Sequence, residues 1–144
     1  MGVEILLADD DCEVRRILAE AFRKSGGHIT EASSGDHLLA ELRDRAANRS
    51  AFDLIVSDIR MPGLTGVEVL RVMLSAEARD DEQPFHETPV ILISAFSDDE
   101  MRAEAASLGA ALFSKPFDID ELLAFAIPLV RPPDPAYCDF GGED

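Results

Sequence analysis

Residues 53–63 read Asp-Leu-Ile-Val-Ser-Asp-Ile-Arg-Met-Pro-Gly, and this stretch predicts a buried strand that ends in a carboxylate. Residues 54–56 are a continuous apolar run, which is typical of a strand covered on both faces of its sheet. The run leads to Asp58, and Pro62 and Gly63 then favour a turn. Because burying a charge is costly unless a partner compensates it, we expect compensating groups close to Asp58.

Short apolar runs alternate with helical patterns along the rest of the chain. The predicted strands are residues 3–8, 28–32, 54–57, 90–94 and 110–114, and the predicted helices are residues 11–24, 34–46, 65–74, 97–108 and 119–129. The predicted helix caps are Ser34, Thr65 with Glu68, Ser97 with Glu100, and Asp118 with Glu121. Pro128 is expected to kink or end the last helix. Five strands alternating with five helices predict an α/β fold, a doubly wound five-stranded parallel sheet with helices on both faces.

The composition narrows the classes of protein to consider. The 144 residues, 47% of them apolar, suffice for one domain with a core. The net charge of −16 disfavours binding to nucleic acid or to an anionic membrane surface. The two cysteines share no motif spacing, and the acidic first ten residues do not resemble a signal peptide, so we expect a cytoplasmic location. We expect a folded domain over residues 1–130 and a tail or linker over residues 131–144, which are rich in Pro, Gly and acid.

Polar side chains follow four of the predicted strands. They are Asp9 to Asp11 after the first, Asp58 at the end of the third, Ser94 at the end of the fourth and Lys115 after the fifth. Each alone is usual on a surface, but parallel strands bring their carboxyl ends to one edge of the sheet. Clustered carboxylates raise each other's pKa, and a hard cation such as Mg²⁺ relieves this repulsion. Asp58 could then act as a nucleophile on phosphorus, with Lys115 and Ser94 bound to phosphoryl oxygens.

Four motifs carry a resemblance to a known family. They are Ile-Leu-Leu-Ala-Asp-Asp-Asp at 5–11, Asp-Leu-Ile-Val-Ser-Asp-Ile-Arg-Met-Pro-Gly-Leu-Thr-Gly at 53–66, Val-Ile-Leu-Ile-Ser-Ala at 90–95 and Phe-Ser-Lys-Pro-Phe at 113–117. Over about residues 3–130 the chain resembles the receiver domains of two-component response regulators. The resemblance implies a flavodoxin-like sheet with strand order 2-1-3-4-5. It also implies a signalling phosphoacceptor, not an enzyme acting on a separate substrate.

The resemblance assigns roles residue by residue. Asp58 would be the phosphoacceptor, and Asp9 and Asp10 would hold Mg²⁺ together with Asp58 and the backbone carbonyl of Arg60. Ser94 would be the switch hydroxyl, and Lys115, joined to Pro116 by a cis peptide bond, would pair with the phosphoryl group. The donor would be a sensor histidine kinase or a histidine phosphotransfer protein. The signal would pass to a downstream protein through the fourth helix, fifth strand and fifth helix.

The sequence also departs from the family pattern and leaves two other interpretations open. The family's switch aromatic lies three residues before the lysine, where this chain has Leu112, and Phe113 should face the opposite side of the strand. One alternative is a phosphate-independent binding module on the same fold. The other is a phosphatase resembling the haloacid dehalogenases, in which Asp9 and Asp11 form the catalytic pair.

Overall fold

The part of the chain that the structure describes folds as five strands and five helices in strict alternation. The computed structural model describes residues 3–48, 50, 52–61, 63–74, 88–95 and 99–130. In chain order the elements are β1 (Val3–Ala8), α1 (Cys12–Lys24), β2 (Gly27–Ala32), α2 (Gly35–Ala47), β3 (Leu54–Asp58), α3 (Gly66–Leu74), β4 (Val90–Ser94), α4 (Asp99–Ser107), β5 (Ala111–Ser114) and α5 (Ile119–Val130). No helix within these residues is both long and apolar enough to cross a membrane.

The described strands form one parallel sheet in the order β2-β1-β3-β4-β5, as the resemblance implied. The strand β3 lies at the centre, between β1 and β4. Asp58 is in register with Ile93 of β4, and Ser94 is in register with Ser114 of β5. The carboxyl ends of the strands therefore meet at one edge, and the predicted fold class is confirmed.

The apolar run at residues 54–56 is buried on both faces of the sheet. Leu54 and Val56 belong to the cluster packed under α1 and α5, while Ile55 belongs to the cluster packed under α2, α3 and α4. All three side chains are buried. Successive side chains of a strand point to opposite faces, so a strand with helices on both sides needs apolar residues at every position.

Most of the predicted helix caps have the expected hydrogen bonds. The backbone N–H of Thr65 donates to Glu68 Oε1 at 2.9 Å, and the N–H of Glu68 donates to Thr65 Oγ1 at 3.1 Å, which completes a capping box for α3. Asp118 accepts two N–H bonds at the start of α5, and Ser34 Oγ accepts the N–H of His37 in α2. The cap predicted at Ser97 lies outside the described residues.

Of the two effects predicted for Pro128, a kink or an end of the last helix, the second is wrong, since α5 continues to Val130, and the kink stays a prediction. A proline removes one intrahelical hydrogen bond, and close to the end of a helix this loss does not stop the last turn. The tail or linker predicted over residues 131–144 lies outside the described residues, so the expected domain boundary stays a prediction.

Candidate functional site

Three carboxylates and one ammonium meet at the carboxyl edge of the sheet. Asp9 follows β1, Asp58 ends β3, and both are buried, with only 1% and 5% of their surface exposed. Asp10 is exposed and lies beside them. Each of the three carboxyl groups has an oxygen within 4.8 Å of an oxygen of the other two. The sheet therefore concentrates negative charge where water is largely excluded.

Lys115 supplies positive charge to both buried carboxylates. Its Nζ lies 3.0 Å from Asp58 Oδ2 and 3.5 Å from Asp9 Oδ2. Its backbone N–H donates to the carbonyl of Ser94 at 2.7 Å, and the peptide bond to Pro116 is cis, as the resemblance implied. A single ammonium therefore lies beside two carboxylates, so the negative charge of Asp9 and Asp58 is only partly neutralised.

Asp9 is the less well compensated of the two buried carboxylates. Its Oδ1 accepts the N–H of Asp11 at 2.9 Å, whereas its Oδ2 is buried and accepts no hydrogen bond from the described residues. At 3.5 Å, Lys115 contributes charge to Oδ2 but no well-formed hydrogen bond. Burial, reinforced by the charge of Asp58, raises the pKa of Asp9 to about 6, although the Asp11 N–H and Lys115 act in the opposite direction.

The ammonium responds to the same environment. Burial alone would lower the pKa of Lys115, but the hydrogen bond and charge of Asp58, together with the charge of Asp9, outweigh this and raise it. Lys115 therefore stays charged at neutral pH, and its charge is directed at the two carboxylates.

The residues at this edge fit a magnesium ion. Oxygen ligands, with one or two protein carboxylates, are what Mg²⁺ prefers. Asp9 Oδ2 is a buried acceptor with no hydrogen-bond donor among the described residues, which is the type of atom that a cation would satisfy. Arg60 donates its backbone N–H to Asp58 Oδ1 at 3.3 Å. The metal contact of the Arg60 carbonyl stays a prediction.

The model of the response regulator receiver domain family matches residues 5–126 of this chain. The chain belongs to this family. The regulatory protein AtoC of Escherichia coli is 38% identical over 122 residues, which are 82% of this chain but only 23% of AtoC, so this chain spans about a quarter of that relative. The sporulation initiation phosphotransferase F of Bacillus subtilis is 32% identical over 123 residues, covering 85% of this chain and 89% of that protein. Among solved structures, a Francisella response regulator receiver domain superposes with a TM-score of 0.72 at 29% identity, covering 90% of this chain and 98% of that chain.

The receiver domain has a leucine where the family's switch aromatic is expected. Leu112 packs on the core cluster that lies under α4, together with Met101. Phe113 faces the opposite side of the sheet, where its ring makes an edge contact with Phe125 at 5.4 Å between centroids. Ser94 is fully buried at the end of β4. Leu112 is not aromatic, and Phe113 faces the other side of the sheet. Neither of these two residues therefore supplies a rotating aromatic side chain beside Ser94.

The three consecutive aspartates after β1 have different roles. Asp11 Oδ1 accepts the N–H groups of Glu13 and Val14, so Asp11 is the N-cap of α1. The three-carboxylate cluster contains Asp9 and Asp10 and does not include Asp11. Because its carboxylate caps α1, Asp11 has a structural role here, which disfavours the Asp9 and Asp11 catalytic pair of the phosphatase interpretation.

Several contacts that shape the site are not evident from the sequence motifs. Ser57 Oγ donates to the carbonyl of Asp58 at 2.9 Å, and Arg15 Nη1 donates to the carbonyl of Asp9 at 2.6 Å. A Cβ on Gly66 would lie 2.6 Å from the Asp58 carbonyl oxygen, so α3 can begin here only without a side chain. All of these contacts involve backbone atoms, which leave no pattern of residue types in the sequence.

Replacing Lys115 by methionine tests how much the site depends on its ammonium. We expect Lys115→Met to lower the free energy of unfolding of the metal-free receiver domain by about 2 kcal/mol, because two buried carboxylates lose their cation. The value is below that for a fully buried pair because the Lys115 side chain is 25% exposed. Urea denaturation at pH 7 with a chelator measures it.

The chain contains one other lysine, which provides a matched control. Lys24 lies on α1 with a side chain that is 77% exposed and a 3.8 Å ion pair to Glu20. Lys24→Met should leave stability almost unchanged because exposed ion pairs contribute little. Equal stabilities for the two variants would contradict the charge compensation described for Lys115.

Proposed function

We propose that this receiver domain accepts a phosphoryl group on Asp58 in a Mg²⁺-dependent reaction and passes the signal to a protein target. The observation that carries the proposal is the position of Asp58. It is a carboxylate at the end of the central strand, paired with Lys115 and adjacent to two further carboxylates. The proposed location is the cytoplasm, where the phosphodonors of this family act.

The proposed step is an in-line displacement at phosphorus. An oxygen of Asp58 attacks the phosphorus atom of a phosphohistidine, the new O–P bond forms as the P–N bond breaks, and the departing imidazole nitrogen takes a proton from water. Lys115 Nζ, now 3.0 Å from Asp58 Oδ2, is within reach of an oxygen of the incoming group. Ser94 donates a hydrogen bond to another phosphoryl oxygen in this proposal.

The metal would be held by Asp9, Asp10 and Asp58, with the backbone carbonyl of Arg60. When bound, Mg²⁺ supplies positive charge that offsets the repulsion between the carboxylates and the phosphoryl oxygens. The buried Asp9 Oδ2, which accepts no hydrogen bond from the described residues, would gain a partner in this way. Lys115, 3.0 Å from Asp58 Oδ2, contributes a second positive charge.

Access to the site is provided by a groove beside the carboxylates. The groove has a volume of about 690 Å³ and is lined by Asp10, by the loop between β3 and α3, and by residues of α3 and α4. An ion pair between Arg71 of α3 and Glu104 of α4 crosses it. The proposed donor is a histidine kinase or a histidine phosphotransfer protein. The Bacillus subtilis relative, which is named a phosphotransferase and is covered over 89% of its length, supports a role in phosphoryl transfer.

The proposed output surface consists of α4, β5 and α5. Ala105 is the buried side chain of α4, so this helix is lightly anchored and can respond to charge at the adjacent strand ends. Phe125 and Leu129 of α5 are exposed apolar residues, with 42% and 40% of their surface accessible. They offer contact area to a protein target, whereas the net charge of −16 does not favour nucleic acid.

Phosphorylation by a small acyl phosphate tests the proposal directly. The chain is incubated with Mg²⁺ and acetyl phosphate, its intact mass is measured, and the modified residue is located after borohydride reduction and proteolysis. We expect one phosphoryl group, on Asp58, and none when a chelator replaces Mg²⁺. Incorporation at another residue, or none in Mg²⁺, would overturn the proposal, and the second result would favour the phosphate-independent module.

A further inference from the structure

The side chain of Arg15 connects three elements of the fold, one of which is the acidic loop at residues 9–11. Arg15, in the first half of α1, donates from Nη1 to the carbonyl of Asp9 at 2.6 Å and from Nε to Glu31 Oε1 at 2.9 Å. Glu31 lies near the end of β2, in register with Leu7 of β1. One guanidinium thus ties the helix, the edge strand and the loop that carries the proposed metal ligands.

We propose that Arg15 is a positioning residue for the metal site, and that it sets Mg²⁺ affinity by holding the backbone of Asp9. The proposal rests on the proposed function only in taking Asp9 and Asp10 as metal ligands. The hydrogen bond from Arg15 to Asp9 goes to the backbone carbonyl of Asp9 rather than to its carboxylate. Its effect on the metal therefore passes through the position of the main chain.

The backbone of Asp9 is held by a second hydrogen bond in addition to the one from Arg15. The backbone N–H of Asp9 donates to the carbonyl of Ala32 at 3.1 Å, while its carbonyl accepts from Arg15. Both polar groups of the Asp9 main chain are thus occupied. With Oδ1 bonded to the Asp11 N–H, the remaining Oδ2 is directed to the carboxylate cluster. Losing the Arg15 bond would release the Asp9 carbonyl and widen the range of positions that the carboxylate samples.

Arginine suits this position because it can make both bonds at once. The guanidinium is planar and presents several N–H groups in a fixed arrangement, so its Nε and Nη1 can bond to Glu31 and to the Asp9 carbonyl together. The Arg15 side chain is only 17% exposed, which strengthens these bonds relative to those at the surface. Lysine has a single ammonium on a flexible stem and would hold the two acceptors less firmly.

Glu31 also forms an ion pair with a second arginine. This second arginine allows support of Glu31 to be tested separately from support of Asp9. Arg23 Nη2 lies 3.3 Å from Glu31 Oε2, and its side chain is 52% exposed. Arg23 supports Glu31 by donating a hydrogen bond to its carboxylate. Arg16, the next residue on α1 after Arg15, is exposed. Arg23→Ala and Arg16→Ala are therefore matched controls that remove the same kind of charge from the same helix.

The test is calorimetric titration of the full chain with Mg²⁺, together with thermal unfolding of each variant without metal. We expect Arg15→Ala to weaken Mg²⁺ binding about tenfold, as loss of a residue supporting metal ligands typically does. Arg15→Lys should fall between Arg15→Ala and the unchanged chain. Arg23→Ala and Arg16→Ala should bind Mg²⁺ as the unchanged chain does.

A purely structural role for Arg15 would give a different pattern. Arg15→Ala would then melt at a lower temperature yet bind Mg²⁺ with the affinity of Arg16→Ala, and that result would overturn the proposal. If Arg15→Ala does not fold, Arg15→Lys and Glu31→Gln provide the same comparison. The readout needs no phosphoryl transfer, so a chain that binds Mg²⁺ through the Arg15-supported loop but accepts no phosphoryl group would refute the proposed function alone.

Discussion

Asp58→Asn is expected to accept no phosphoryl group from acetyl phosphate in Mg²⁺, under conditions in which the unchanged chain is fully labelled. An amide is not a nucleophile toward phosphorus at neutral pH, whereas a carboxylate is. The substitution preserves the shape of the side chain, and the amide oxygen can still accept the Arg60 N–H that now bonds to Oδ1. The loss should therefore be complete without unfolding of the domain.

Asp53 offers a matched control at the other end of the same segment. Its Oδ2 accepts the N–H of Glu4 at 2.8 Å, on the side of the sheet where β1 begins. Asp53→Asn removes the same charge and should be labelled like the unchanged chain. Intact-mass measurement gives the phosphorylated fraction of each variant, and a circular dichroism spectrum checks its fold. Labelling of Asp58→Asn to the level of Asp53→Asn would refute Asp58 as the acceptor.

The central strands could be predicted from residue types because their environment leaves little choice. Residues 54–56 and 90–93 are apolar at every position, and β3 and β4 are buried on both faces. The weaker strand β2 begins at Gly27, one residue before the predicted start, because it is an edge strand whose side chains are mostly only partly buried. The order of the strands came from the family resemblance, since run lengths alone do not determine it.

The members of the site were predictable as a group, but their individual environments were not. The carboxyl ends of parallel strands lie at the same edge of the sheet, so the sequence predicts that Asp9, Asp58 and Lys115 lie close together. The sequence could not say that Asp9 would be buried beside an exposed Asp10, because burial depends on where α1 begins. The roles of these residues in metal binding and phosphoryl transfer stay proposals.

Contacts between backbone atoms could not be predicted from sequence patterns, and Gly35 is an example. It is the first residue of α2, and a Cβ there would lie 1.6 Å from the carbonyl oxygen of Leu64 and 2.4 Å from its carbonyl carbon. Leu64 belongs to the loop that follows Asp58 and leads into α3. The helix and the loop approach so closely that no side chain fits between them.

Gly35→Ala is therefore expected to lower the free energy of unfolding by about 3 kcal/mol or more, because main-chain atoms on both sides must move. Helix propensity alone predicts the opposite sign, since alanine stabilises a helical position by about 1 kcal/mol relative to glycine. Gly109→Ala is the control, with a positive φ of 73° and no atom within 4 Å of a new Cβ, and it should cost only about 1 kcal/mol through backbone strain. Urea denaturation of both variants measures the difference. A Gly35→Ala domain as stable as the unchanged chain would mean that α2 does not pack on Leu64, and then the loop after Asp58 would lack the support described here.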